Sequence, residues 1–175
     1  MDTWKEFEAN ELTHSGAHHL VAIEQVGAAY GGWARVSDIA RHLNITRGSV
    51  SITLRALKKR GWVDTNDHHL VKLTGDGLKA VRAIGAKRRL LRTFLADVLS
   101  VPKSQAEIDS CKVEHLISHD TGRQLTLFLR FLSSGAPETK DLAERFREFR
   151  RECPKTRTCE VCHGLCLMDE LKHAI

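Results

Sequence analysis

Apolar positions along the chain change period, and the changes mark out its elements. Leu20, Ile23 and Val26 share one face of a first helix, which the breaker-rich GAAYGG at 27–32 ends. Val36, Ile39, Ala40 and Leu43 form the inner face of a short second helix that Ser37 or a neighbour could cap, and Asn44-Ile45-Thr46 supplies a tight turn. A third helix is expected from about Arg47 to Arg60, with Val50, Leu54 and Leu57 inward at i, i+4 and i+7. Gly61 suits a left-handed cap. The period then falls to two: Trp62-Val63-Asp64-Thr65, a polar corner at Asn66-Asp67-His68, and His69-Leu70-Val71-Lys72-Leu73 predict a two-stranded hairpin. Helix, turn, helix and hairpin in this order describe a winged helix-turn-helix, whose second helix of the pair enters the major groove of DNA.

Helical spacing resumes from Gly77 to Ser100, where Ala80, Val81, Ile84, Leu91, Leu95 and Val98 are the core candidates and Pro102 closes the element. Two shorter helices are expected over 105–117 and 121–133. The face formed by Leu125, Phe128, Leu129 and Leu132 is too wide for a lone surface helix and predicts packing against a second subunit. SSGAPE breaks the pattern, and Leu142, Phe146 and Phe149 then stripe a charged helix leading to Cys153. The fold class is therefore mainly α: a winged helix-turn-helix over 1–76, an α-helical dimerisation domain over 77–136, and a C-terminal helix with a cysteine-rich metal-binding tail over 137–175.

Composition fits a folded protein of 175 residues, 42% hydrophobic and 28% charged. The net charge of +5 is unevenly spread, since Arg35 to Leu90 holds thirteen Lys/Arg against four Asp/Glu. That local excess points to a polyanion, because each phosphate neutralised releases counterions. Double-stranded DNA is the expected partner. Arg47, Ser49, Ser51 and Thr53 are the expected contacts on the recognition helix, while Arg55, Lys58 and Lys59, joined by Arg35, are expected nearer the phosphates. Two-fold symmetry of a homodimer would be matched by a pseudo-palindromic operator. No apolar run is long enough for a membrane span and the N-terminus lacks the features of a secretion signal, so the expectation is cytoplasmic.

In a reducing compartment the closing cluster Cys153-x5-Cys159-x2-Cys162-x3-Cys166 reads as a metal site rather than a disulfide framework. Its single Cys-x-x-Cys knuckle with short flanking gaps fits [4Fe-4S] ligation better than a structural zinc site, which usually joins two knuckles; zinc stays open as the alternative. The fifth cysteine belongs to Cys111-x-x-Glu114-His115, where helical spacing would gather a thiolate, a carboxylate and an imidazole. Such a set suits Fe2+, Zn2+, Co2+ or Ni2+ better than Mn2+.

With SVSITLRALKKRGWV, a hairpin ending in LTGDG and CKVEH further on, residues 12–133 resemble the diphtheria toxin repressor family of iron- and manganese-dependent transcriptional repressors. The resemblance implies a divalent metal held by Cys111, Glu114 and His115 with a ligand from the first helix, which falls on His18. It also implies that this metal locks the first helix and the dimerisation helices into a DNA-binding geometry. Departures are informative. The family's second metal site would use positions occupied here by Arg88 and Arg92, and a guanidinium has no lone pair to donate. Arg88 could instead lie beside Glu114 and stand in for a cation. Ile52 replaces a glutamine found in many relatives, and it can touch a thymine methyl but reads no donor or acceptor. Where larger members add an SH3-like domain, this sequence has the cysteine tail. Absent a helix-hairpin-helix or an assembled catalytic set, the sequence reads as a metal- or iron-responsive regulator rather than an enzyme. A DNA-repair enzyme with a structural cluster is the catalytic alternative.

Overall fold

The computed structural model describes residues 12–149; the tail cysteines Cys153, Cys159, Cys162 and Cys166 lie outside the described residues. The first helix, α1 (His14–Gly27), begins where Thr13 Oγ1 accepts the Gly16 amide at 3.1 Å, and it buries Ala17, Leu20, Ala22 and Ile23 completely. Its end is dictated by crowding. A Cβ on Gly27 would stand 2.8 Å from the backbone carbonyl of Gly32, so only glycine lets the chain double back there. The returning chain forms β1 (Trp33–Ala34) and enters α2 (Val36–Leu43).

Arg35, in extended conformation, precedes α2 without a side-chain cap; Ser37, the expected capping residue, lies inside the helix and donates to Asp38 Oδ1 instead. Asn44 at φ 54° ends α2, and Thr46 Oγ1 opens α3 (Arg47–Lys59) by accepting the Ser49 amide at 3.1 Å. After Gly61 (φ 74°) come β2 (Val63–Thr65) and β3 (Val71–Leu73), and Asn66 Oδ1 shapes their corner by accepting the amides of His68 and Leu70. The expected hairpin is thus present, but it is part of a larger sheet. The strand order is β1-β3-β2, antiparallel, with Trp33 opposite Lys72 and Val63 opposite Leu73. Two residues are too few to show an alternating pattern, which is why β1 leaves no periodic signal. The result is mainly helical, a winged helix-turn-helix whose core gathers Leu20, Ile23, Ile39, Val50, Leu54, Val63, Val71 and Val81.

Thr74 joins this core to the next helix. Its Oγ1 accepts the Gly77 amide to cap α4 (Gly75–Thr93) and its hydroxyl donates to Gly61 O at 2.7 Å. A Cβ on Gly77 would fall 2.0 Å from Trp62 O, so this turn also requires glycine. The expected helix over 77–100 starts two residues earlier, and its α-helical part stops at Thr93. It continues as a π-helical turn over Phe94–Val98, and Ser100 (φ 54°) reverses the chain. Of its expected core positions, Val81 and Ile84 are buried, while Ala80, Leu91, Leu95 and Val98 are half-buried. In α5 (Lys103–Val113) the small residues Ala106 and Ser110 are fully buried, and the helix packs along α4.

The chain divides into two compact units inside α6 (His119–Leu132), the first running to Thr126 and the second starting at Leu127. In the second unit, Leu127, Phe128 and Phe131 are exposed and Leu129 and Leu132 half-buried; Gly135 (φ 75°) separates them from α7 (Pro137–Phe149).

Candidate metal centre and nucleic-acid interface

The first turns of α1 meet the C-terminal end of α5. His18 Nε2 lies 3.4 Å from Cys111 Sγ, across 93 residues of sequence. One helical turn before His18, His14 stacks edge-on against it with ring centroids 4.4 Å apart, and one donor atom each from His14, His18 and Cys111 lie within 4.8 Å of one another. The ring of His115 is 4.9 Å from that of His14, and its Nδ1 is buried without a hydrogen-bond partner. Helix α5 ends at Val113. Glu114 keeps helical dihedrals and bonds back to Ser110, but His115 stands in the turn beyond, so the motif straddles a helix end rather than lying on one helical face. Lys87 Nζ fixes that turn by donating to Ile117 O at 2.6 Å.

Of the four expected ligands, the structure brings His18 and Cys111 together and adds His14, while the ring of His115 stands beside that of His14. The i, i+4 spacing of His14 and His18 is present in the sequence, but the apolar stripe that marks the first helix begins only at Leu20. His19, one position from His18, points the other way; it is buried, with Nδ1 at 2.7 Å from Ser15 O. Glu114 is buried and faces Arg88, whose Nε lies 3.8 Å from its Oε2. Arg88 also donates to Glu107 Oε1 from Nε at 2.9 Å, and Arg92 approaches Glu107 Oε2 at 3.4 Å. The two arginines thus form an ion-pair network.

Electrostatics separates the donors from the carboxylate. Burial, helped by neighbouring cationic side chains, holds His18 and His115 below the ordinary histidine range, so both imidazoles are neutral with a lone pair available. Burial pushes the Cys111 thiol up, with Glu114 and Glu107 adding to it and Arg88 opposing, so a ligated thiolate requires displacement of its proton. Burial pushes the Glu114 carboxyl up to about 7 despite Arg88. Two imidazoles and a thiol with donor atoms within 4.8 Å of one another, beside an imidazole nitrogen of His115 and a carboxylate oxygen of Glu114 that are both buried without hydrogen-bond partners, make a donor set of the kind a transition-metal ion takes.

The second candidate surface is α3. With Val50, Leu54 and Leu57 inward, the opposite crest is Gly48, Ile52, Arg55 and Lys59, all exposed, and Ile52 is 64% exposed. Arg47, Ser49 and Ser51 are exposed beside it. Ser49 Oγ pairs with Thr46 Oγ1 and Ser51 Oγ donates to Arg47 O at 2.9 Å. Thr53 is half-buried, its hydroxyl turned to Ser49 O, and Lys58 reaches Thr65 Oγ1 on β2. Arg35 is exposed before α2. Periodicity counted from the buried stripe places Ile52 and Arg55 on the crest, whereas polarity alone favours the hydroxyls at its flanks.

Residues 15–69 match the MarR family model, and residues 74–142 match the model described as iron dependent repressor, metal binding and dimerisation domain. An uncharacterized HTH-type transcriptional regulator of Methanocaldococcus jannaschii, MJ0568, is 25% identical over 95 residues, 54% of this chain and 76% of its own length. The iron-dependent repressor IdeR of Mycobacterium tuberculosis is 32% identical over 92 residues, 52% of this chain but 40% of the repressor. The crystal structure of the hypothetical protein SSo2273 from Sulfolobus solfataricus shares the fold with a TM-score of 0.60 at 22% identity, covering 67% of this chain and 89% of that one.

Proposed function

Since the chain belongs to the diphtheria toxin repressor family of metal-dependent transcriptional regulators, we propose that it is a homodimeric DNA-binding regulator, in function a repressor of metal homeostasis. Its grip on a pseudo-palindromic operator depends on a divalent ion, Fe2+ or another transition metal, between α1 and α5. One observation carries this reading: His18 and Cys111, on helices far apart in sequence, meet at 3.4 Å with His14 beside them. When bound, the ion supplies a positive centre that ties the two helices together. The chain's own packing does the remainder. Helix α1 packs against α2, α3, α4 and the sheet, so fixing its N-terminal end to α5 restrains the element on which α3 rests. Arg47, Ile52, Arg55 and Lys59 are positioned to face DNA, with Arg35, Ser49 and Ser51 at the margins. The division at 1–76, 77–136 and 137–175 then corresponds to reading, dimerising and cysteine-bearing segments.

The test selects DNA fragments with the full chain and measures affinity for them at fixed salt, with and without a chelator. Metal removal should weaken binding about tenfold or more, and Cys111→Ala should match the chelated state. Equal affinity of loaded and stripped protein overturns the reading.

For the tail, the spacing of Cys153, Cys159, Cys162 and Cys166 supports a [4Fe-4S] cluster as a second input. Anaerobically isolated protein should be brown, with stoichiometric iron and acid-labile sulfide. Colourless protein with one tail-bound zinc would overturn that assignment and leave the α1–α5 centre as the sensor.

A further inference from the structure

Helix α7 (Pro137–Phe149) is thirteen residues long, a length at which a helix alone in water is marginal. Within the second unit it makes no broad contact with the end of α6, from which Gly135 (φ 75°) parts it. Leu142 and Phe146, one turn apart, are 46% and 36% exposed, so the stripe that should hold this helix in place is only partly covered. Leu127 and Phe131 at the end of α6 are exposed too, and they fall inside the segment 74–142 matched as a metal binding and dimerisation domain. The exposed apolar positions thus start in the dimerisation domain and continue along the chain past its end into α7. Charge indicates what fits there. Residues 137–144 hold Glu138, Asp141 and Glu144 against Lys140, a net −2, and residues 145–149 hold Arg145 and Arg147 against Glu148, a net +1. One exposed intrahelical pair, Arg145 Nε to Asp141 Oδ2 at 2.9 Å, spans the junction. A helix acidic in its first half and basic in its second attracts its own copy when the two run in opposite directions and repels it when they run in parallel.

Resting on the homodimer of the proposed function, we propose that α7 pairs antiparallel with α7 of the second subunit across the two-fold axis, Leu142 packing on Phe146 of the partner subunit. Such a contact is isologous: each subunit offers the same stripe, and the charged halves match twice. With Leu142 at the level of Phe146 of the partner subunit, the axis passes at the level of Glu144, and the ends of the two helices at Phe149 lie about 15 Å apart along the helix direction. The cysteine-bearing segments therefore start on opposite sides of the axis, one at each end of the helix pair.

The full chain is compared by sedimentation equilibrium with a variant carrying Leu142→Lys and Phe146→Lys. The dimer dissociation constant should rise about tenfold or more, with a helical far-UV spectrum retained. Charge is tested apart from packing. Glu138→Lys with Glu144→Lys turns 137–144 to a net +2 and should weaken the dimer about fivefold at low salt. Adding Arg147→Glu, which turns 145–149 to a net −1, should restore it. Direction is read from nitroxide labels introduced singly as Lys140→Cys, Glu144→Cys or Glu148→Cys in the full chain with its five cysteines changed to Ser. The intersubunit distance should be shortest at 144 and longer by similar amounts at 140 and 148. Equal distances at all three positions mean a parallel pair, and a dissociation constant unmoved by Leu142→Lys with Phe146→Lys means a stripe covered by its own chain; either result overturns the inference and leaves the homodimer standing. A parent chain that sediments as a monomer would sink both.

Discussion

Two single residues bear more of the fold than their size suggests. Gly77, in the first turn of α4, lies against the Trp62 carbonyl, which also accepts the Thr74 amide, so any side chain there forces the hairpin away from the helix. Gly77→Ala should therefore cost roughly 1–3 kcal/mol of unfolding free energy, the range for overpacking at a site that cannot relax freely, measured by urea denaturation. Thr46 is the second. Its hydroxyl oxygen satisfies the Ser49 amide at the start of α3, and Thr46→Ala should lose about 1 kcal/mol in the same assay while Thr46→Ser retains it.

At the scale of elements, α3 makes a prediction that separates sequence reading from charge. Ile52 stands on the crest and can contact a thymine methyl, so Ile52→Gln should alter base preference at one position of each half-site without changing the salt dependence. Lys59→Ala should weaken all sequences alike and reduce the slope of log affinity against log salt by about 0.9, as fluorescence anisotropy at several salt concentrations would show. The same contrast between local and distant causes decides how much was legible in the sequence. The helices α1, α2 and α3 and the hairpin announce themselves because each has a period set by its buried face. Strand β1 does not, because its place is fixed by pairing with β3 and no local pattern encodes a distant partner. The metal motif at Cys111 and the nearness of Arg88 to Glu114 are legible in the sequence, but the arrival of His14 beside His18 and Cys111 depends on how α1 meets α5. The π turn at Phe94–Val98 is likewise a tertiary outcome that propensity does not foretell.

For the whole molecule, the local balance of +9 between Arg35 and Leu90 sits in a chain whose net charge is +5. Association with DNA should accordingly be fast and strongly weakened by salt. Dimerisation is expected to use the apolar face that begins at Leu127. Changing both Leu127 and Phe131, 48% and 51% exposed, to Lys should shift the sedimenting species to monomer while leaving the far-UV spectrum intact. Finally, α1 has the histidine pair in its first two turns and, past its other end, leads through a 3-10 turn at Ala28–Tyr30 and two glycines into the edge strand β1. Fourteen helical residues make a strut about 21 Å long. So short a rod is stiff, and because its flank packs directly on β1 and β3 as well as on the reading helix, a tilt imposed where the imidazoles sit would press on the sheet and the helix together.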